Sequence, residues 1–184
     1  MSSGGIVYVI DDDDALRDSL AFLLSTAGFE AKTYESAASF LKSLPPEQSG
    51  CVVTDVRMAG LTGIELLREL KSVAPALPVI VMTGHGDVPL AVEAMKLGAF
   101  DFIEKPFDDE TMLSSIRRAL GRMQKDRQKD ADRSNIQAKL ASLSARERQV
   151  LDGLVAGHAN KVIAFDLGIS SEDTLFYTEF NHPF

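Results

Sequence analysis

The fold is decided by residues 6–14, which read IVYVIDDDD. Five mostly β-branched, apolar residues come first, and four aspartates follow without a break. A continuous apolar run of this length is typical of a strand that is buried on both faces. Two further runs have the same character, CVVT at 51–54 and VIVM at 79–82. Together they predict buried strands of one sheet.

Longer segments with helical spacing lie between these strands. In the first of them Leu16, Leu20, Leu23 and Leu24 fall on one face, and Gly28 follows where a helix is expected to end. Helices are predicted at 15–27, 37–44, 64–73, 88–97 and 108–122, and weaker strands at 30–34 and 101–103. Strict alternation of five strands and five helices predicts an α/β fold, with helices on both faces of a parallel sheet.

Composition limits the classes of protein that fit. The 184 residues suffice for one ordinary domain and a small second one, and 45% hydrophobic with 25% charged residues is a globular balance. A net charge of −8 does not draw the chain as a whole to nucleic acid or to an anionic membrane. Cys51, the single cysteine, lies in an apolar run and is expected to be an inert buried thiol.

The sequence contains no segment that predicts a membrane partner. No apolar stretch approaches the roughly 20 residues that a membrane-spanning helix needs. The start, MSSGG, has neither the basic region nor the apolar core of a signal peptide. We therefore expect a cytoplasmic protein.

Four predicted strands are followed by side chains suited to phosphate chemistry. Asp11 and Asp12 follow the first strand, Asp55 the third, Thr83 the fourth, and Lys105 comes just after the fifth. In open parallel sheets, ligands bind beyond the carboxyl ends of the strands, so these groups are expected to meet. Their joint occurrence is a much stronger signal than any one of them alone.

Crowded carboxylates repel one another unless a cation joins them. Magnesium suits few carboxylates, several waters and a phosphate oxygen. A carboxylate held there can attack a phosphoryl group, while Lys105 and the Thr83 hydroxyl stabilise charge on the transferred oxygens. Acidic residues after a strand also commonly cap the next helix, and we prefer that interpretation for Asp13 and Asp14.

Over roughly residues 5–122 the sequence resembles the receiver domain of bacterial two-component response regulators. The resemblance is carried by VIDD at 9–12, TDVRM at 54–58, MTG at 82–84 and KPF at 105–107. It implies a flavodoxin-like, doubly wound parallel sheet of five strands. It also implies that Asp55 is the phosphoacceptor.

The same resemblance implies a set of ligands for Mg²⁺. Asp11 and Asp12 would be the acidic pair, with Asp12 the more direct ligand. Asp55 and the backbone carbonyl of Arg57 would complete the protein's share of the coordination. Ala59 stands where related sequences usually have proline, and only a looser loop is expected from that difference.

The resemblance further implies a switch. Thr83 and Lys105 would contact the phosphoryl oxygens, and Phe102 occupies the place of a rotating aromatic side chain. Phosphorylation adds close to two negative charges, so Thr83 would move toward them and Phe102 would rotate inward. The surface of the fourth helix, fifth strand and fifth helix would change and support a homodimer. A plain core aromatic is the alternative for Phe102.

Beyond residue 122 the character of the chain changes. Residues 123–136 are almost wholly polar and either extend the preceding helix or form a linker. LSARERQVL at 143–151, NKVIA at 160–164 and LGIS at 167–170 resemble a FixJ/LuxR-type helix-turn-helix domain. We predict a receiver at 1–122, a charged helical linker at 123–139, and a partial helix-turn-helix domain with an aberrant tail at 140–184. The sequence leaves open whether this small all-α domain is complete.

The resemblance fades after Ser170. The remaining residues, SEDTLFYTEFNHPF, contain no Lys or Arg and carry three acids. Affinity for DNA comes largely from basic contacts to phosphate, so DNA binding, expected for the family, is doubtful for this chain. The tail is either an abnormal end, such as a truncation or frameshift, or a genuine tail that has lost DNA contact.

The leading functional hypothesis is a response regulator that accepts a phosphoryl group from a sensor histidine kinase and controls transcription. It would not be an ordinary enzyme, although it would assist its own Mg²⁺-dependent phosphorylation and dephosphorylation. The alternative is a receiver that works only through protein contacts. An aspartate-nucleophile hydrolase is disfavoured because such enzymes usually place a second acid two positions after the nucleophile, where this chain has Arg57.

Overall fold

The computed structural model describes residues 4–44 and 46–170. Its five strands form one parallel sheet in the order β2-β1-β3-β4-β5, which confirms the predicted flavodoxin-like α/β architecture. The strands are β1 Ile6–Ile10, β2 Glu30–Tyr34, β3 Cys51–Asp55, β4 Val79–Thr83 and β5 Asp101–Glu104. The two strongest apolar runs, β3 and β4, are buried along their whole length, as continuous apolarity predicts.

Seven helices are described, five of them alternating with the strands. They are α1 Asp14–Thr26, α2 Ala37–Lys42, α3 Gly63–Val73, α4 Val88–Lys96, α5 Asp109–Ser142, α6 Ala145–Val155 and α7 Asn160–Leu167. Leu24 of α1 and Ile116 of α5 belong to the core on one face of the sheet. Phe40 of α2, Leu67 of α3 and Ala94 of α4 belong to the core on the other face.

Local sequence signals set where the helices begin and end. The carboxylate of Asp13 accepts from the Leu16 N–H and caps α1, and Gly28, with φ of 85°, lies just after that helix. Thr62 and Glu65 form a complete capping box at the start of α3. The preferred interpretation of Asp13 as a helix cap is therefore confirmed.

Strand register brings the strand ends that carry the predicted site residues to one level. Asp55 at the end of β3 pairs with Met82 of β4, and Thr83 at the end of β4 pairs with Glu104 of β5. The loops that follow these residues consequently leave the same edge of the sheet, together with Asp11 after β1.

The chain divides into two compact units between Arg127 and Gln128, which lie within α5. This helix extends well past residue 122, so the polar stretch at 123–136 continues the helix, one of the two predicted alternatives. Residues 124–142 are exposed throughout, which suits their lack of an apolar face. No helix in the described ranges is long and apolar enough to cross a membrane.

The second unit is described as far as Ser170. Ser144 and Glu147 form the predicted capping box of α6, and α7 ends at Gly168 in the left-handed conformation, with φ of 62°. The two helices pack around Val150, Ile163 and Ala164. Predictions about the tail at 171–184 concern residues outside the described ranges.

Candidate functional site

A lysine and two aspartates form the centre of the site. The ammonium Nζ of Lys105 lies 2.8 Å from Oδ1 of Asp55 and 3.3 Å from Oδ2 of Asp11. Asp11 is 1% exposed and Asp55 is 8% exposed, so both carboxylates are nearly removed from bulk water. Three of the strand ends singled out in the sequence thus converge, although these residues are far apart along the chain.

Burial and charge act in opposite directions on these groups. Burial raises the pKa of Asp55, and the hydrogen bond and charge of Lys105 only partly offset that rise. Burial by itself would lower the pKa of Lys105, but the hydrogen bond and charge of Asp55, together with Asp11, raise it overall. Lys105 therefore remains a cation beside the carboxylates at neutral pH.

Backbone amides hold the other oxygens of the two buried carboxylates. Oδ2 of Asp55 accepts from the N–H of Arg57 at 3.0 Å, and Oδ1 of Asp11 accepts from the N–H of Asp13 at 2.9 Å. The orientation of each carboxylate is therefore fixed at both oxygens. Each oxygen retains a free lone-pair direction, because a carboxylate oxygen accepts from two directions.

Asp12 differs from Asp11 and Asp55 both in its exposure and in its hydrogen-bond partner. Its side chain is exposed, and Oδ2 accepts from the N–H of Ala59 at 3.1 Å. The described residues hold no cluster of three or more His, Cys, Asp or Glu side chains arranged to bind a metal ion. The assignment of Asp11, Asp12 and Asp55 as metal ligands therefore stays a prediction.

Ala59 has a consequence that the sequence did not predict. We expected this residue only to loosen the loop relative to proline. Its amide instead donates the hydrogen bond that holds Asp12. Proline has no N–H, so this contact is available only because another residue stands at position 59.

Thr83 and Phe102 line the same apolar groove. Thr83 is 2% exposed at the end of β4, and its backbone carbonyl accepts from the Lys105 N–H at 2.8 Å. Phe102 is 44% exposed, so the alternative of a plain core aromatic is wrong for this structure. The groove has a volume of about 390 Å³ and is also lined by Ala91 and Met95 of α4. Space therefore exists beside Thr83 on the side from which Phe102 projects.

Sequence reasoning missed an ion pair beside the site. Arg57 donates to Asp87 through two nitrogens, Nε to Oδ2 at 3.0 Å and Nη2 to Oδ1 at 2.6 Å. Asp87 precedes Val88 and Pro89, a sequence that indicates a helix start rather than an ion pair. Nothing in the local sequence identifies its partner, which lies 30 positions earlier.

A second contact that was missed lies at the end of β5. Oε1 of Glu104 is 2.8 Å from Nδ1 of His85 and accepts from the N–H of Gly86 at 3.0 Å. The Glu104 carboxylate thus contacts the loop that follows Thr83, and Asp87 of that same loop pairs with Arg57. The β4–α4 loop is thus tied to its neighbours on both sides.

Family comparisons agree with this geometry. The family model for the response regulator receiver domain matches residues 7–117, and that for bacterial regulatory proteins of the luxR family matches 141–178. The second match passes Ser170, so the resemblance extends further along the chain than we predicted.

Individual relatives agree as well. The transcriptional regulatory protein FixJ of Azorhizobium caulinodans is 58% identical over 172 residues, which cover 93% of this chain and 81% of the relative. FixJ of Bradyrhizobium diazoefficiens is 53% identical over 170 residues, covering 92% and 83%. The crystal structure of full-length FixJ from B. japonicum has a TM-score of 0.68 at 50% identity, covering 98% of this chain and 89% of its own. Response regulator StyR gives 0.79 at 39% identity, covering 96% and 89%.

The fold and the acid–lysine site define a receiver domain. The chain belongs to the two-component response regulators of the FixJ/LuxR type, which join a receiver to a LuxR-type DNA-binding domain and regulate transcription within a phosphorelay. Proteins of this family are generally not classical enzymes, and receiver domains generally use Mg²⁺.

Proposed function

We propose that this cytoplasmic regulator accepts a phosphoryl group on Asp55 from a sensor histidine kinase. The observation that carries the proposal is the contact of Lys105 Nζ with Asp55 Oδ1 at 2.8 Å, in a buried acidic site at the carboxyl edge of the sheet. A carboxylate that is oriented in this way beside a cation is a suitable nucleophile for phosphorus.

The reaction transfers a phosphoryl group from a phosphohistidine to the Asp55 carboxylate. An Oδ of Asp55 attacks the phosphorus of a phosphohistidine, the new O–P bond forms, and the N–P bond breaks with its electron pair leaving on the imidazole nitrogen. Charge spreads over the three equatorial oxygens in the transition state. Lys105 lies at the right place to stabilise that charge, and the buried Thr83 hydroxyl provides a hydrogen-bond donor. The same groups would assist hydrolysis of the acyl phosphate by water.

The donor chemistry of the site fits Mg²⁺. Asp11, Asp12, Asp55 and the backbone carbonyl of Arg57 would hold the ion, because an oxygen-only set with few carboxylates and space for waters is what this cation prefers. When bound, the ion neutralises charge on the phosphoryl oxygens. Asp12 is exposed and accepts from the Ala59 amide through Oδ2, so its Oδ1 would be the oxygen offered to the cation.

The switch would connect Asp55 with the surface of α4 and β5. The phosphoryl oxygens attract the Thr83 hydroxyl, and the groove beside Thr83 then accommodates the exposed ring of Phe102. Burying that ring changes the outer face of α4, β5 and α5, where we place a phosphorylation-dependent homodimer. A local charge change thereby biases a two-state element.

Labelling with a small phosphodonor tests the assignment of Asp55. With labelled acetyl phosphate and Mg²⁺, the native chain should take up label and Asp55→Asn should take up none. Asp14→Asn is the control, because Asp14 belongs to the aspartate run after β1 but is exposed and pairs with Arg17 instead of with the site lysine. Label retained by Asp55→Asn at the native level would disprove the assignment.

We propose a division of labour along the chain. Residues 1–122 receive the phosphoryl group, 123–139 form a charged helical linker, and 140–184 provide the output by binding DNA. The family match over 141–178 supports DNA binding. The run SEDTLFYTEFNHPF supports the second candidate, a receiver acting only through protein contacts, because it offers no cation to the phosphate backbone.

A gel-shift experiment separates these two output functions. Phosphorylated protein should retard promoter DNA at low salt, and Asp55→Asn under the same conditions should retard it less. Low salt favours detection, because phosphate contacts weaken steeply as salt rises. Absence of a shift with the fully phosphorylated chain even at low salt would favour the second candidate, a receiver acting through protein contacts.

A further inference from the structure

We propose that Arg57 and Asp87 form a latch that holds the receiver in its unphosphorylated arrangement. A phosphoryl group on Asp55 opens the latch by competing for the Arg57 guanidinium. The inference rests on the proposed phosphorylation of Asp55. It assigns to the Arg57 side chain a positioning role separate from that of its backbone carbonyl.

The geometry of the pair suits a latch. Both carboxylate oxygens of Asp87 are engaged, at 3.0 Å and 2.6 Å, by two nitrogens of one guanidinium. Such a bidentate arrangement is more directional than a single contact. The pair joins the loop after β3, which follows the phosphoacceptor, to the loop after β4, which follows Thr83. These two loops have to move relative to each other if Thr83 is drawn toward Asp55.

Arg57 can reach either partner. Its backbone N–H donates to Oδ2 of Asp55 at 3.0 Å, so its side chain originates beside the oxygens that would carry the phosphoryl group. The Arg57 side chain is 71% exposed and is not confined by packing. A phosphoryl group carries close to two negative charges and three acceptor oxygens, whereas Asp87 offers one charge. Charge alone therefore favours exchange of the guanidinium from Asp87 to the phosphoryl group.

Opening the latch gives Asp87 a second role. Asp87 occupies the N-cap position of α4, yet its side chain makes no capping hydrogen bond and instead binds Arg57 with both oxygens. The second residue of the helix is Pro89, which has no N–H to offer. The acceptor released from Arg57 is therefore directed to the N–H of Leu90, the third residue. Capping at this position would stabilise the first turn of α4 in the phosphorylated state.

The chain contains a matched control for this ion pair. Arg68 of α3 and Glu93 of α4 also form an ion pair between two successive helices, with Nη2 of Arg68 2.7 Å from Oε1 of Glu93. Both side chains are partly exposed, and neither contacts the site. Breaking this pair tests whether any ion pair in this region affects phosphorylation.

The first measurement is the initial rate of Asp55 labelling from acetyl phosphate with Mg²⁺. Asp87→Asn should raise the rate about fivefold, because it removes the competing charge while asparagine remains able to cap α4. In an Arg57→Gln background, Asp87→Asn should change the rate less than about twofold, since the latch is already open. Glu93→Gln should leave the rate within about twofold of the native chain.

The second measurement is hydrogen exchange at the Leu90 amide. Phosphorylation should slow this exchange about fivefold in the native chain. In Asp87→Ala, which cannot cap, phosphorylation should leave it unchanged. A merely structural ion pair would not produce a phosphorylation-dependent change at this one amide.

The outcomes separate failure of the latch from failure of the phosphoacceptor assignment. If the native chain takes up no label on Asp55, the proposed function fails. If it is labelled normally, the latch is overturned by either of two results. One is an equal effect of Asp87→Asn with and without Arg57, and the other is Leu90 exchange that is insensitive to phosphorylation.

Discussion

The two units of the chain differ in how much of their own structure they bury. In the first unit, apolar side chains close over both faces of the sheet, and β3 and β4 have no exposed residue. Within residues 128–170 only Val150, Ile163 and Ala164 are buried. Large apolar side chains there, such as Val155 at 81% and Phe165 at 85%, remain exposed.

This difference teaches where each unit obtains its stability. Burial of apolar surface is the main favourable term in folding, and it scales with the area removed from water. The receiver buries enough apolar surface to offset the cost of burying Asp11 and Asp55 close to each other. The described part of the second unit buries few apolar side chains, so helix capping and local hydrogen bonds should contribute a larger share of its stability.

The largest effect should come from the receiver core. Leu67→Ala removes a fully buried side chain of α3 and should lower the free energy of unfolding of the receiver by about 3 kcal/mol. Unfolding in guanidinium chloride, monitored by circular dichroism, measures this change. Ile163→Ala is the control in the second unit and should leave the receiver transition in place. An equal shift by both variants would show that the two units unfold as one.

Next in size is the loss of the buried cation. Lys105→Ala removes the ammonium that faces Asp55 and Asp11, so the initial rate of labelling by acetyl phosphate should fall about 100-fold. The matched control is Lys32→Ala, which breaks an exposed ion pair with Glu30 on the edge strand β2. A rate within threefold of the native value for Lys105→Ala would contradict the role given to this lysine.

A smaller effect should accompany neutralisation of the phosphoacceptor. Folding raises the pKa of Asp55, so its ionised form opposes folding at neutral pH. Asp55→Asn should therefore stabilise the receiver by about 1 kcal/mol near pH 7. The advantage should shrink as pH falls through the raised pKa, because the native carboxyl then becomes neutral as well. Thermal unfolding of both proteins from neutral to acidic pH measures this stability difference. A difference that grows as pH falls would contradict a raised pKa for Asp55.

The smallest effects should come from two capping boxes, one in each unit. Thr62→Ala should lower receiver stability by about 0.5–1 kcal/mol, because the start of α3 loses its side-chain cap. Ser144→Ala removes the equivalent cap of α6 and should reduce helical content without moving the receiver transition. Far-UV circular dichroism during unfolding distinguishes the two. If Ser144→Ala shifts the midpoint of the receiver's unfolding transition, the two units do not unfold independently.

Much of the fold was predictable because its signals are local. Continuous apolar runs predicted β1, β3 and β4, and the capping residues Asp13 and Ser144 predicted where helices begin. The end of α5 was not predictable, since a polar sequence without a face suits either a solvated helix or a linker. The site residues Asp11, Asp55 and Lys105 were found because parallel strands end at one edge.

The missed contacts share a physical reason. The pairing of Arg57 with Asp87 and that of Asp12 with the Ala59 amide join loops whose conformations are set by tertiary packing. Sequence spacing carries no information about which of several nearby donors a carboxylate will accept from. The wrong alternative for Phe102 has the same origin, because β5 lies at the edge of the sheet and its faces are unequally covered.

The sequence by itself determined the class of fold, the family, and which charged residues meet at the carboxyl edge. Strand burial follows from the continuous apolar runs and the parallel sheet from their alternation with helices, whereas the strand order was implied only by the family resemblance. Only the tertiary structure decided which carboxylate accepts a hydrogen bond from which donor. It engages Asp87 with Arg57 instead of leaving it to cap α4, and it holds Asp12 on the Ala59 amide. Directed hydrogen bonds depend on distances of a few tenths of an ångström, and only the packed loops set those distances.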